Sequence, residues 1–245
     1  MTMFNREDDY IKILTERTHT VKELAAKLFI SEPTVRRDIV QLKKKELVIC
    51  TSGKVSLKIS SPDRRIPIFI RDYENNEAKK EIAVKAAQYI RDGDVIMLDA
   101  STSAYALLPH LAQFKNLFVI TNGAKTSIGL SAMGIKNLCT GGDSIPESFS
   151  FIGSDAERTL SNYNANIAFF SCRGLNEKGI VSDNSIGENN IRRIMIEHSQ
   201  RNILLCDSSK LHRTCLHTLC NVEILDNVLC EKELPDTIKK SPRMD

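Results

Sequence analysis

Glycine is scarce, at 11 of 245 residues, which excludes a collagen-like repeat. No apolar run approaches the roughly 18 to 20 residues that a membrane helix requires. The opening segment MTMFNREDDY lacks the apolar stretch of a signal peptide, so a cytoplasmic protein is expected. The seven cysteines (50, 139, 172, 206, 215, 220 and 230) contain no CxxC pair; an odd, scattered set in such a chain reads as free thiols, mostly small core residues. The first apolar strand is followed by DASTSA instead of G-x-G-x-x-G, which argues against a dehydrogenase, and neither a G-x-S-x-G elbow nor a P-loop is present. His212, Cys215, His217 and Cys220 crowd one stretch, but their spacing matches no standard zinc pair and no second cluster completes a site, so neither metal nor cofactor is expected. What is present is 42% hydrophobic and 27% charged, enough for a real core in one large domain or two ordinary ones.

The charge is unevenly spread. Residues 1–60 hold 12 basic against 8 acidic side chains, whereas the other 185 hold 22 against 23. A basic end on a near-neutral body suggests a module facing nucleic acid joined to something else.

Three helical patterns open the chain. Tyr10, Ile11 and Leu14 mark the first. Thr20-Val21-Lys22-Glu23 is a capping box that starts the second, with Val21, Leu24, Ala25 and Leu28 on its apolar face. After the break at Phe29-Ile30, Ser31 is a good N-cap and Pro33 is tolerated in the first turn. The third helix buries Val35, Ile39 and Leu42 and presents Pro33, Thr34, Arg36, Arg37, Val40 and Lys44. Residues 47–59 then read as strand, Gly53-centred turn and strand. An apolar back with a cationic front is what a helix needs to dock on two others and enter a major groove, where arginine bonds guanine or phosphate and threonine touches a base or a thymine methyl. Lys54 would bring the hairpin against the DNA backbone as a wing. Ser31 serves as a cap and is also a candidate phosphate contact.

Residues 61–76 combine two prolines with clustered charge and read as a linker between a 1–60 winged helix-turn-helix and a 77–245 α/β domain. From Glu77 onward, helices alternate with apolar strands at VIMLD (95–99), LFVIT (117–121), IAFFSC (167–172) and NILLCD (202–207), which argues for a mostly parallel sheet.

The segment Ser31-Glu32-Pro33-Thr34-Val35-Arg36-Arg37-Asp38-Ile39 resembles the S-x-x-T-[IV]-R-R-D-[LI] signature of DeoR-type bacterial repressors, and the resemblance extends over nearly the whole chain. At the wing this chain departs from the family, reading Cys50-Thr51-Ser52-Gly53-Lys54 where an Arg and a Gly-Gly-Ala stretch are usual.

In open α/β sheets, ligands gather where strands end and helices begin. Four strand ends carry suitable groups: Asp99-Ala100-Ser101-Thr102-Ser103, Thr121-Asn122-Gly123, Gly141-Gly142-Asp143 and Asp207-Ser208-Ser209-Lys210. Each alone is also an ordinary cap or turn; together they read as a site favourable to phosphate. Their order resembles the family's effector domain, which is similar in fold to ribose-5-phosphate isomerase. The resemblance implies a sugar-phosphate pocket at Asp99, Ser101, Thr102, Ser103, Thr121, Asn122, Gly123, Gly141, Gly142 and Lys210. Ala100 replaces a usual glycine, and Phe170–Asn176 departs from the pattern I-G-x-x-G-[IL]-D; Arg173 within it is either a second phosphate partner or a surface charge.

The rival reading is a sugar-phosphate isomerase, which requires a carboxylate base. Glu188, Asp183 and Asp207 are conceivable. Isomerases of this fold carry a Lys-Gly-Gly-Gly stretch, however, where this chain has SDNSIGENN, and a winged helix has no purpose in such an enzyme. The expectation is therefore a non-enzymatic transcriptional regulator, a repressor of a sugar-metabolism operon, with double-stranded operator DNA, a phosphorylated sugar and further copies of the chain in a dimer or tetramer as partners, since one module makes too few DNA contacts.

Overall fold

The computed structural model describes residues 3–45, 47–57, 68–235 and 238. The chain divides into two compact units, Met1–Glu74 and Asn75–Asp245. Among the described residues no helix is long and apolar enough to cross a membrane.

The first unit contains α1 (Met3–Glu16), β1 (His19–Thr20), α2 (Val21–Leu28), α3 (Glu32–Lys44), β2 (Val48–Thr51) and β3 (Lys54–Leu57). The capping box forms as expected: Glu23 N–H donates to Thr20 Oγ1 at 3.2 Å, and Thr20 N–H donates to Glu23 Oε2 at 2.7 Å. Two first-turn donors of α2 are thus satisfied locally. Phe29 ends α2 in the left-handed region at φ 55°. β2 and β3 form an antiparallel hairpin in register Thr51↔Lys54, closed by Ser52 and Gly53, both with positive φ. That two-residue geometry matches the twist of the flanking strands. β1 pairs with the other edge of β3. Tyr10, Ile11, Leu14, Leu24, Val35, Ile39, Leu42, Val48 and Val55 make the core, each such side chain contributing about 1.5–3 kcal/mol by leaving water.

Part of the expected linker, residues 61–67, lies outside the described residues. Its remainder includes α4 (Ile68–Tyr73), which packs on α1 and seats Ile70 in the first unit's core. Proline and clustered charge suggested a connector here; the buried Ile68 and Ile70 make the end of the stretch a packed helix.

The second unit contains α5 (Asn76–Ala87), β4 (Val95–Leu98), α6 (Thr102–Tyr105), α7 (Leu108–Leu111), β5 (Phe118–Thr121), α8 (Ala124–Ala132) and β6 (Lys136–Cys139). There follow β7 (Asp143–Ile145), β8 (Ser150–Ile152), α9 (Ser154–Ser161), β9 (Ala165–Ser171), β10 (Gly174–Leu175) and β11 (Ile180–Asp183). The unit closes with α10 (Ile186–Glu197), β12 (Ser199–Leu205), β13 (His217–Asn221) and β14 (Asn227–Leu229). Six strands form one parallel sheet in the order β14-β12-β9-β4-β5-β6. Alternate residues serve opposite faces. Ile96, Leu98, Val119, Ile167 and Phe169 pack under α5 to α8, whereas Met97, Ile120, Ala168 and Phe170 pack under α9 and α10. A small antiparallel sheet, β10-β11-β13, and the hairpin β7-β8 complete the unit.

The chain builds outward from β4 through β5 to β6, then outward from β9 through β12 to β14 on the other side. The order reverses between β4 and β9, and a crevice at the carboxyl ends is expected there.

Candidate functional site

α3 presents its front as the sequence pattern requires. Val35, Ile39 and Leu42 are buried, whereas Ser31, Pro33, Arg36, Arg37, Val40 and Lys44 are exposed and Thr34 is half-buried. Arg36 contacts Glu32, one turn earlier, at 3.7 Å. Thr34, Arg36, Arg37, Val40 and Gln41 line an open depression together with Arg6 of α1. Lys54 sits exposed at the hairpin tip. One expectation is corrected. Ser31 occupies the N-cap position, but its side chain caps no amide; its hydroxyl pairs instead with Thr34 Oγ1 at 2.9 Å, a competing hydroxyl three residues on.

What anchors α3 from behind is not visible in its local sequence. Asp38 is buried and accepts from Arg6 Nε at 3.1 Å and from Tyr10 O–H at 3.3 Å. Burial, reinforced by this carboxylate, pushes the Tyr10 phenol well above its ordinary range. The anchor fixes the roll of α3 and hence the direction in which its arginines point.

In the second unit, the ends of β4, β9 and β12 converge on Lys210. Its Nζ donates to Ser171 Oγ at 2.9 Å and to Ser103 Oγ at 3.2 Å, and lies 2.9 Å from Asp207 Oδ2. Burial disfavours this ammonium, but the Asp207 carboxylate outweighs it and raises the Lys210 pKa. Asp207 is lowered in turn, its burial outweighed mainly by Lys210.

Asp99 stands at the reversal point, with both oxygens engaged. Oδ1 accepts Ser101 N–H at 3.1 Å, and Oδ2 accepts Ser171 N–H at 3.1 Å and Arg192 Nε at 2.9 Å. Arg192, buried on α10, also reaches Asp183 Oδ2 at 2.9 Å. Burial alone would lower the guanidinium's affinity for its proton and raise the carboxyl's; their mutual attraction reverses both, holding Arg192 above and Asp183 below the ordinary range. Arg192 was not singled out in the sequence because it looks like one more charge on an amphipathic helix.

Ser101 caps α6, its Oγ accepting Ala104 N–H at 3.1 Å, and Thr102 and Ser103 are buried beside it. Thr121 Oγ1 accepts Gly123 N–H at 3.0 Å. Asn122 Nδ2 donates to the Phe151 carbonyl at 2.9 Å, while its Oδ1 is buried with no hydrogen-bond partner among the described residues. Gly123 packs against Ala100, where an added Cβ would come within 3.2 Å of two Ala100 atoms. Arg173 is half-buried beyond β9, close enough to Asp183 to lower its pKa. Gly141 and Gly142 follow β6, the sheet's edge strand, two strands from the reversal point. Gly142 faces the Ile152 carbonyl and Ala156, so protein packing explains its identity.

The conceivable bases all have partners. Asp183 serves Arg192, Asp207 serves Lys210, and Glu188 Oε1 accepts Ser150 Oγ at 3.0 Å. Among the described residues no group of three or more His, Cys, Asp or Glu is placed to hold a metal ion.

Comparison with known proteins follows these two units. The family model described as DeoR-like helix-turn-helix domain matches residues 6–59, and that described as DeoR C terminal sensor domain matches 74–232. The HTH-type transcriptional regulator YulB of Bacillus subtilis (strain 168), itself described as uncharacterized, is 35% identical over 86% of this chain and 81% of its own length. The lactose phosphotransferase system repressor of Staphylococcus epidermidis is 26% identical over 94% of this chain and 93% of its own. Among solved structures, eIF2B delta from Chaetomium thermophilum is similar with a TM-score of 0.51 and 18% identity, over 68% of this chain and 60% of that one; the likeness concerns fold alone.

Proposed function

The chain belongs to the DeoR family of transcriptional regulators, and from that premise we propose that it represses a sugar-metabolism operon and is released by a phosphorylated sugar. In this reading Thr34, Arg36 and Arg37 enter the major groove. Ser31, Pro33, Lys44 and Lys54 lie against the backbone, where cations contribute affinity without reading sequence. Paired half-sites are read by a dimer or tetramer. The effector occupies the crevice at the reversal of strand order, its phosphate near Lys210 and Arg173 and its hydroxyls near Asn122.

The observation that carries the effector reading is Lys210, a half-buried ammonium brought beside two serine hydroxyls where three strands end. The unpartnered Asn122 Oδ1 supports it, because a buried acceptor left without a donor costs about 1–3 kcal/mol, and a sugar hydroxyl supplies one. Ligand binding changes DNA affinity only if the two conformations bind it unequally.

A thermal-shift screen against sugar phosphates tests this. A ligand at 100 times its Kd stabilises the native state by about 2.7 kcal/mol, so one sugar phosphate should raise Tm clearly, and Lys210→Met should abolish the rise while operator binding persists. A full response in Lys210→Met would place the pocket elsewhere. Turnover of any sugar phosphate by the purified protein would favour an isomerase instead.

A further inference from the structure

Cys172, Cys206 and Cys230 directly follow the last residues of β9, β12 and β14, which stand in register as Ser171↔Leu205↔Leu229. All three thiols are buried in the same apolar cluster. In-register positions on neighbouring strands lie about 4.8 Å apart, inside the Cα separation of about 4.4–6.8 Å that a disulfide spans. Cys172 and Cys206 are close enough for each thiol to shift the other's pKa, and Cys206 Sγ lies 3.8 Å from the Asp207 carbonyl oxygen. Cys230 turns away, its Sγ donating to Glu231 Oε2 at 3.3 Å.

We propose that Cys172 and Cys206 are a peroxide-sensitive dithiol site, closing to an intramolecular disulfide beneath Lys210. The two thiols are suited to different tasks. The neighbouring Cys206 thiol lowers the Cys172 pKa and Lys210 adds to this, together outweighing burial; the Cys172 thiol and burial hold Cys206 well above the usual range. Cys172 is therefore the attacking thiolate and Cys206 the resolving thiol. The Cys172 sulfur attacks hydrogen peroxide; the O–O bond breaks, a sulfenic acid forms and hydroxide leaves, taking up the proton Cys172 gave away, as water. The Cys206 sulfur then attacks the Cys172 sulfur; the S–S bond forms, the S–O bond breaks, and hydroxide leaves with the Cys206 proton as a second water. Two thiols are oxidised by two electrons, and one peroxide is reduced to two waters. Ser171 precedes one sulfur and Asp207 follows the other, so the link redraws the seat of Lys210 and weakens anion binding there. That consequence rests on the pocket reading above; the disulfide itself does not.

The test is non-reducing peptide mapping of the reduced, full-length protein after graded hydrogen peroxide. A 172–206 linked peptide is expected in wild type and in Cys230→Ser. In Cys206→Ser it should be absent, with oxygenated Cys172 in its place, and Lys210→Gln should slow its formation severalfold. Recovery of Cys172 and Cys206 as free thiols at doses that oxidise the exposed Cys50 overturns the proposal, as does a 206–230 link. Inorganic phosphate should bind the oxidised protein at least threefold more weakly than the reduced one. Equal affinity overturns the coupling to Lys210, whereas no phosphate binding to the reduced form overturns the pocket reading and leaves the disulfide standing.

Discussion

Arg36 and Arg192 are both guanidinium groups carried on helices, yet they have opposite surroundings. Arg36 is exposed, with a 3.7 Å contact to a partly exposed Glu32. Arg192 is buried, with two carboxylate oxygens at 2.9 Å. An exposed cation keeps its water and can exchange it for a phosphate or a base edge; a buried one has given up its water and depends on its partners. One chemical group thus serves an exposed helix front in the first unit and a buried ion-pair cluster in the second. Lys210 stands between the two cases, half-buried and paired with the Asp207 carboxylate, yet set among hydroxyls.

This contrast can be broken most forcefully at Arg192. Arg192→Ala removes the charge that the buried Asp99 and Asp183 share and should cost the α/β unit about 3–5 kcal/mol in chemical denaturation. Arg36→Ala should move the first unit's own transition by less than about 0.5 kcal/mol; similar losses in the two variants would erase the distinction. The same cluster sets a pH dependence. The folded chain holds Asp183 below its ordinary pKa, so the stabilisation is complete at neutral pH and is lost as acidification carries the solution through the lowered value. Denaturation midpoints measured from neutral pH downward should therefore fall, and Asp183→Asn should flatten the fall.

On the exposed side, Arg36→Ala or Arg37→Ala should cost about 1–3 kcal/mol in operator binding where the lost contact is to a base. Lys54→Ala should weaken specific and random duplexes alike, and reduce the slope of log K against log salt by about 1. Unchanged specific binding in both arginine variants would reject α3 as the reading helix. The smallest expected effect is at the capping box: Thr20→Ala should cost the first unit about 1 kcal/mol, read from its own unfolding transition.

The same contrast explains what the sequence disclosed. The front of α3 was legible because period, cap and proline all lie within a few residues and an exposed side chain needs no distant partner to be understood. The parallel strands were legible as short apolar runs. The Asp99–Arg192–Asp183 cluster was not, since it joins residues up to 93 apart along the chain and none is unusual in its local context. Asp38 belongs to a local signature, but its bonds to Arg6 and Tyr10 reach across 32 and 28 residues and leave no local trace. α4 was missed because proline and charge nearby outweighed two isoleucines, and the β7-β8 hairpin because its strands are three residues each.

The central claim is that a cationic helix front and an anion-seating crevice act in one chain. It is tested most directly by selecting genomic fragments with the purified protein and then measuring anisotropy of a labelled selected fragment, with and without sugar phosphates. The account predicts much tighter binding to that fragment than to random duplex, and a loss of affinity with one sugar phosphate in wild type but not in Lys210→Met. Equal affinity for selected and random duplex, unmoved by any sugar phosphate, would contradict it.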